Sequence, residues 1–492
     1  MDLTHVLDPG VILDPPSLSF GMMKDGDVKA LTFEMVNISG AEERYELSTL
    51  YTGDGYDATM PLSGCEVTPR VMTLAPDQSA EVTVTFDSAQ AASLGDNQGY
   101  LILAGDMHEA HLPVWARIAP AVEMADVLLI DNDLSTITDL PDYSGYYTGT
   151  LEAMNLSYSI WDADSYFANP VTIPPAEILA GFKAVIYFTG DNYYPDGYFT
   201  VSTPLTELDS NILTEYANGG GTLIVMGQDV ASVMASMDPD NAFFLYSAVL
   251  GAKFLQDSIT GSTLPVLPIL ATSGAPMAFG DLSIACTEGG DGAANQFYID
   301  EIALKPEKDP DMPEHLAGFI PVLKYAGNSK QQDGVVAMAH RDQPSLEKPG
   351  VTYLGRSIYA TFGLEGVNSD TGTTTRHELL ERFLDWAWDE PTVAVEVVDL
   401  PNASGLTTLK AVLQSDDLGL AASAYRWDFG DGTPIMGPYA SKDATHNYRR
   451  TGLYRVRVEA TDAYGNVAIG SEWVQVTQAD LYQVPLPAVF KG

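Results

Sequence analysis

The sequence predicts three modules in series: an all-β sandwich, an α/β domain built on a parallel sheet, and a second β-sandwich. Three observations carry this. Short alternating segments between Gly, Pro, Asp and Asn clusters fill residues 1–120. From 123 to 390, continuous apolar runs alternate with helix-like patterns. After Pro391 the short alternating segments return. A chain of 492 residues is too long for one core, and roughly three domains suit its length.

Charge narrows the partners. Lys and Arg total 24 against 67 Asp and Glu, a formal net charge of −43. Such a chain repels nucleic acid phosphates and anionic membranes. The acidic residues are dispersed, which suits solubility outside the cell or tolerance of salt, with divalent cation binding as the alternative. No apolar run approaches the ~20 residues that span a bilayer. Met1–His5 has neither a basic region nor an apolar core and is not expected to be a signal peptide. Cys65 and Cys286 fall in different modules at no metal-type spacing, so both are expected to be free thiols.

In the first module, 1–120, the strand candidates are Leu31–Val36, Tyr45–Leu50, Ala80–Phe86, Gly99–Leu103 and Val114–Ile118. His108-Glu109-Ala110-His111 is not H-E-x-x-H, because its second His falls at i+3. Both histidines are read as surface or turn residues. The ordered set Pro16–Gly21, Val36–Ser39, Val67–Pro69, Leu74–Ala80 and Leu112–Trp115 resembles the fibronectin-III-like domain that follows the catalytic domain in many secreted subtilisin-like serine proteases.

In the second module, 123–390, four apolar runs end in polar residues. Asp126–Ile130 leads into Asp131-Asn132-Asp133, and Tyr158–Trp161 into Asp162-Ala163-Asp164. Ala184–Phe188 leads into Thr189-Gly190-Asp191-Asn192, and Thr222–Met226 into Gly227-Gln228-Asp229. Helix-like patterns at Tyr146–Leu156 and Leu205–Asn218 lie between, with Thr206, Asp209 and Asn211 as cap candidates for the second. Strand and helix alternating in this way imply right-handed crossovers and a parallel sheet whose polar strand ends share one rim. Residues 251–345 interrupt the pattern as a β-rich insertion or sheet extension that includes Gly289–Gln296. Ser357–Phe362 resumes it, followed by Gly363–Gly366. The helix Thr374–Trp388 closes it, with Leu379, Leu380, Phe383, Leu384, Ala387 and Trp388 on one face and Thr374, with His377 and Glu378, as the capping signal.

The stretch Gly219–Asp229 is where a hydrolase would carry a nucleophile on a sharp strand-to-helix turn. Gln228 occupies that elbow position. Neither its amide nor the flanking carboxylate reads as a covalent nucleophile, so no catalytic residue is assigned. The combination looks like the class I glutamine amidotransferase-like, flavodoxin-related fold, in the version found inside long secreted bacterial proteases and surface proteins. That resemblance implies a Cys elbow with a downstream His–Glu pair. Here Gln228 stands in place of Cys, Cys286 lies in the insertion, and His377-Glu378 lacks a nucleophile to serve.

The strand ends Asp131, Asp133, Asp162, Asp164, Asp191 and Asp229 offer hard oxygen ligands for calcium or magnesium. A carboxylate pair there would also run acid–base chemistry if one pKa were raised. The simpler reading is that they make turns and caps. Asp131, Asp133, Asp191 and Asp229 are the metal-ligand candidates, and no cofactor is expected other than calcium as a possibility.

In the third module, 391–478, Val393–Val398 and Leu406–Leu413 are strand candidates. Tyr425-Arg426-Trp427-Asp428-Phe429-Gly430-Asp431-Gly432, Ala444–Tyr448, Gly452–Val458 and Thr461–Asn466 follow. Trp427 and Phe429 alternate inward, Gly430-Asp431-Gly432 turns, and Tyr454, Val456 and Val458 alternate into a sandwich core. Asp428 and Asp431 are read as holding the turn backbone. This set is similar to the PKD (polycystic-kidney-disease) domain, a spacer or a binding module for proteins and glycans. The tail, 479–492, is apolar and Pro-containing. It resembles a tail common on exported proteins of filamentous green non-sulfur bacteria, and reads either as a sorting signal or as a strand docking on the third module.

Three modules in this order match the region C-terminal to the catalytic domain of secreted subtilisin-like proteases. The catalytic motifs of that family are absent: no His precedes Gly-Thr, and Ser232-Val233-Met234-Ala235 lacks the Gly-Thr that precedes the nucleophile. The expected role is a non-catalytic accessory region of an exported peptidase, secreted or at the cell surface, engaging protein or glycan partners. The alternatives are a hydrolase or transferase working from the acidic rim, and a stand-alone glycan-binding adhesin.

Overall fold

The computed structural model describes residues 10–52, 60–119, 122–167, 171–192, 204–237, 249–261, 263–276, 279–304, 319–327, 334–341, 346, 355–414, 420–463 and 465–477. Met1–His5, the tail 479–492 and parts of the insertion lie outside the described residues. Met1–Glu123 and Met124–Gly492 are two compact units.

The first unit is a two-sheet β structure of strands β1 (Val11–Asp14), β2 (Leu18–Lys24), β3 (Val28–Asn37), β4 (Glu43–Tyr51), β5 (Cys65–Thr68), β6 (Val71–Leu74), β7 (Ser79–Asp87), β8 (Gly95–Gly105) and β9 (Glu109–Ala119). One sheet runs β1-β3-β7-β5 and the other β2-β9-β8-β4-β6. Inward residues of both sheets, among them Phe33, Tyr45, Val82, Phe86, Leu101 and Leu112, form one core in which each is buried. Burial alternates along the strands, as in β4 and β7, because successive side chains point to opposite faces. Pro15 and Pro16 separate β1 from β2 and offer no N–H to a ladder, so the chain leaves one sheet there and enters the other. The long strands β3, β4, β7, β8 and β9 contain the predicted segments. The short strands β1, β2, β5 and β6 complete the sheets.

The second unit holds a nine-stranded sheet in its central part. Its parallel portion comprises β10 (Val127–Asp131), β11 (Tyr158–Asp162), β12 (Ala184–Phe188), β13 (Thr222–Met226) and, later in the chain, Arg356–Ala360. Among the described residues the α-helices are α1 (Ser144–Ala153), α2 (Ala176–Leu179), α3 (Glu207–Asn218), α4 (Val230–Met237) and α5 (Arg376–Trp388). The interrupting segment supplies β14 (Ala252–Gln256), β15 (Ile269–Ala271), β16 (Ser283–Ile284), β17 (Glu301–Leu304), β18 (Phe319–Tyr325) and β19 (Ala337–Arg341), after which Arg356–Ala360 is β20. Strand order is β11-β10-β12-β13-β20-β19-β18-β15-β16. From β20 outward the neighbours are antiparallel, so the interruption extends the sheet rather than standing apart from it. Among the described residues of the interruption, β14 and β17 form a separate two-stranded ribbon.

Thr206 caps α3, its hydroxyl accepting from the Asp209 N–H at 3.1 Å. The cap of α5 is Thr375, which accepts from the Glu378 N–H at 3.1 Å. The predicted cap, Thr374, instead accepts from the Ser283 N–H at 2.9 Å, because it is tied to the edge strand β16. The buried tryptophan of α5 is Trp386 rather than Trp388: Leu379, Phe383 and Trp386 sit at i, i+4 and i+7 on the core face.

The C-terminal part pairs β21 (Thr392–Asp399), β22 (Leu406–Gln414) and β25 (Asp443–Asn447) in one sheet. The other sheet holds β23 (Leu420–Asp428), β24 (Met436–Tyr439), β26 (Gly452–Asp462) and β27 (Val467–Val476). Trp427, Phe429, Tyr448, Val456 and Val458 are buried between them. Gly430 has φ of +73°, and a Cβ there would sit 2.4 Å from the Arg455 carbonyl oxygen, so the turn requires glycine. Three residues separate α5 from β21. The buried Asn466 of this sandwich donates to the Trp386 carbonyl at 3.3 Å, and the Leu346 N–H donates to Glu459 Oε2 at 2.9 Å.

Candidate functional site

Register fixes where the strand ends lie. Asp131 stands level with Asp162 and Phe188, Phe188 with Met226, and Met226 with Ala360. The C-terminal ends of five parallel strands therefore form one rim, where open α/β sheets place ligands.

Some rim acids are fully occupied as turn and cap acceptors. Asp133 Oδ1 accepts from the Ser135 N–H at 2.9 Å and its Oδ2 from the Tyr143 N–H at 2.8 Å. Asp162 accepts from the Ser165 N–H and hydroxyl and from the Thr136 hydroxyl. Asp191 accepts from the Tyr143 hydroxyl at 2.7 Å and from Asn295 Nδ2 at 3.0 Å. The same Asn295 reaches Glu365, whose buried carboxylate also accepts from the Tyr147 hydroxyl at 2.8 Å and Gln296 Nε2 at 3.0 Å. Burial nevertheless raises the pKa of both Asp191 and Glu365.

Other rim acids have few or weak donors. Asp131 accepts from the Asp133 N–H at 3.3 Å, and burial, reinforced by Asp133 and Asp164, pushes its pKa up to about 9. Asp164 is 1% exposed and neither carboxylate oxygen takes a hydrogen bond of good geometry; the Leu134 and Thr136 N–H groups favour its charge only weakly against burial, which raises it to about 7. Asp131 and Asp133 come together with exposed Asp142, beside a cleft of about 470 Å³ lined by α1 and the start of α5.

The strand-to-helix elbow differs from the sequence expectation. β13 ends at Met226, and the Gly227 N–H continues its ladder to the Ala360 carbonyl, so the turn falls one residue later. The left-handed residue is Asp229, with φ of +56°, not Gln228. Asp tolerates this conformation better than most side chains. Gln228 is turned inward and its Oε1 accepts from the Tyr298 N–H at 2.8 Å. Gly227 passes so close to Thr189 that a Cβ would meet its hydroxyl at 1.8 Å. Asp229 is joined by Asp257 and Asp300, two residues that no sequence motif marks. Asp300 is fully buried, and its Oδ2 accepts from the Ser232 N–H in the first turn of α4 at 2.8 Å. Burial and Asp257 push Asp229 up to about 8, while burial and Asp229 raise Asp300 well above the carboxylate range. Asp191 belongs to neither three-carboxylate group.

The remaining sequence candidates are structural in their contacts. Burial, with Glu365 nearby, pushes the Cys286 thiol up to about 12, which leaves it inert. Glu378 pairs with Arg382 at 2.6 Å, and His377 lies 3.8 Å from Glu381 along the same helix. His108 Nδ1 meets Glu43 at 2.7 Å and His111 Nε2 meets Glu109 at 2.7 Å, so each histidine has a separate carboxylate partner. Asp428 accepts from the Gly430 N–H and Asp431 from the Thr433 N–H, as turn residues do, and Asp431 also meets His446 at 2.8 Å. Both cysteines are free and buried.

The PKD domain family matches residues 397–473. The PKD1 domain of Vibrio anguillarum Epp is 23% identical, covering 18% of this chain and 94% of its own, with a TM-score of 0.15. The PKD1 domain of Vibrio cholerae metalloprotease PrtV is 22% identical over 18% of this chain and 95% of its own, with a TM-score of 0.15. The ASH/PapD-like domain 7 of human CEP192 is 16% identical over 23% of this chain and 87% of its own, with a TM-score of 0.19. No curated protein matches the chain.

Proposed function

We propose that this chain is a non-catalytic accessory region of an exported subtilisin-like peptidase, which it positions while engaging protein or glycan surfaces. The observation that carries the reading is the PKD domain at 397–473, a module type used for spacing and binding. Residues 1–120 act in this reading as a fibronectin-III-like sandwich, 123–390 as a glutamine amidotransferase-like domain that has lost its chemistry, 391–478 as the PKD domain and 479–492 as a tail. The parallel order second-first-third-fourth-fifth supports a flavodoxin-like centre. Loss of chemistry is supported at the elbow, where Gln228 and Asp229 stand and neither Ser nor Cys does. Secretion or cell-surface display fits the acidic composition. No helix among the described residues is long and apolar enough to cross a membrane.

The test is direct. The full chain, offered casein, peptide esters and a fluorophosphonate probe, is expected to turn over nothing and label no serine. Mass spectrometry of the exported protein that bears this sequence is expected to find subtilisin-like catalytic peptides in the same polypeptide. Stoichiometric serine labelling, or an exported product without a peptidase, overturns the reading. The raised carboxylates favour one competitor, an acid–base hydrolase or transferase at the rim. Turnover abolished by Asp229→Asn would establish it.

A further inference from the structure

We propose that Asp229, Asp257 and Asp300 form a binding site for a calcium-sized divalent cation at the rim of the central sheet. One carboxylate oxygen from each lies within 4.8 Å of the others, so all three fall within about 2.8 Å of a common point. Calcium binds oxygen at about 2.3–2.6 Å and tolerates irregular geometry, whereas magnesium demands about 2.0–2.1 Å. Small side-chain shifts bring this trio to calcium distance, and larger ones are needed for magnesium.

An independent observation points the same way. Asp300 is 0% exposed; its Oδ2 accepts from the Ser232 N–H, its Oδ1 takes no hydrogen bond of good geometry, and the Ala231 N–H favours its charge only weakly against burial. A buried carboxylate oxygen without a donor is costly, and a cation supplies what is missing. The charges that bear on Asp300 are Asp229 and Asp257, both of its own sign. The second acidic group, Asp131, Asp133 and Asp142, is a weaker cation site, because both oxygens of Asp133 already serve backbone N–H groups.

The fold assembles the trio from three places. Asp229 sits at the elbow before α4. Asp257 follows β14 and Asp300 precedes β17, and the antiparallel pairing of Gln256 with Glu301 puts both at the same end of that ribbon. A cation there clamps the ribbon onto the elbow. Asp257, exposed, faces solvent and leaves positions for water. The role is structural and independent of whether the chain serves a peptidase.

The test uses the full chain stripped with EDTA, in 150 mM salt so that its many dispersed surface carboxylates contribute little. Calorimetric titration with calcium is expected to show one saturable site per chain, with magnesium at least tenfold weaker. At a hundredfold excess over Kd the transition of the second unit is expected to rise by about 3 °C. Asp300→Asn is expected to abolish both effects, and Asp142→Asn to leave both unchanged. Should Asp300→Asn lose the native circular dichroism spectrum, Asp257→Asn, at an exposed position, reads the same site and is expected to weaken binding at least tenfold. Absence of a saturable site overturns the proposal, as does a site that survives Asp257→Asn or is lost in Asp142→Asn.

Discussion

Glu43 in the first unit and Asp300 in the second are both carboxylates at 2% exposure or less, yet their surroundings are opposite. Glu43 Oε1 accepts from the N–H groups of Met107 and His108 at 2.8 and 2.7 Å. Its Oε2 accepts from the Tyr45 hydroxyl at 3.0 Å and meets His108 Nδ1 at 2.7 Å. Burial works against its charge, and His108 with these donors outweighs it, so the Glu43 pKa stays below the usual value. Asp300 has fewer donors and two acidic neighbours, and its pKa is raised. The contrast separates a carboxylate kept for packing from one the fold leaves unsatisfied, and burial alone does not tell them apart.

The comparison breaks first at Glu43. Glu43→Ala strands two N–H groups, a hydroxyl and His108 in the interior, and is expected to destabilise the first unit by about 3–5 kcal/mol in urea unfolding. A loss under about 1 kcal/mol would show that the donors find water instead.

pH separates the units next. In the second unit, folded Asp131, Asp164 and Asp229 bind protons that the unfolded chain has released, their pKa values being about 9, 7 and 8. Stability there falls as pH rises between about 4 and 9. The sign for Glu43 is reversed: its contribution is present above the unfolded value of 4.5 and is lost as pH falls through the lower folded one. Thermal unfolding of the full chain in EDTA from pH 5 to 9 should show the second unit's transition falling by several degrees while the first unit's holds. A second-unit transition that rises with pH refutes this.

A smaller effect is expected from Asp164→Asn, which removes a buried charge without adequate donors. At pH 8 it should stabilise the second unit by about 1 kcal/mol, and the gain should be smaller at pH 5, closer to the unfolded acid's own pKa, where less of the cost of burial has accrued. Equal gains at both values would point to packing instead.

The smallest effect tests pairing without burial. Lys410 and Glu396 meet at 3.0 Å across β21 and β22 with Glu396 half exposed. Lys410→Ala should cost less than about 1 kcal/mol in the same unfolding experiment. A loss as large as that of Glu43→Ala would dissolve the distinction between the two kinds of site.

Much of the parallel sheet was legible because its strands are buried on both faces and read as unbroken apolar runs, as in Val127–Ile130 and Ala184–Phe188. The sandwich core of Trp427, Phe429 and Tyr448 was legible from alternation around a glycine turn. The antiparallel extension was not. β18 carries Pro321 beside a register shift, which hides it among loops, and β16 is only two residues long. α2, four residues long, is too short to show a helical period. The rim was half legible. Asp131, Asp133 and Asp229 follow strands and announce themselves, whereas Asp257 and Asp300 reach Asp229 only through the pairing of β14 with β17. The one-residue error at the elbow has a similar origin. A tight turn was evident in Gly227-Gln228-Asp229, but which residue takes the left-handed conformation depends on where the ladder with β20 stops.

The short junction between α5 and β21, with Asn466 bonded across it to the Trp386 carbonyl, has a mechanical consequence. A string of modules on slack linkers absorbs a pull by straightening its joints. Here, tension applied to the PKD sandwich arrives at α5 with almost no chain to take up, and α5 is packed into the core of the central sheet through Leu379, Phe383 and Trp386. Under load the two would yield as a single spring, and the first break would come inside a module rather than at the seam.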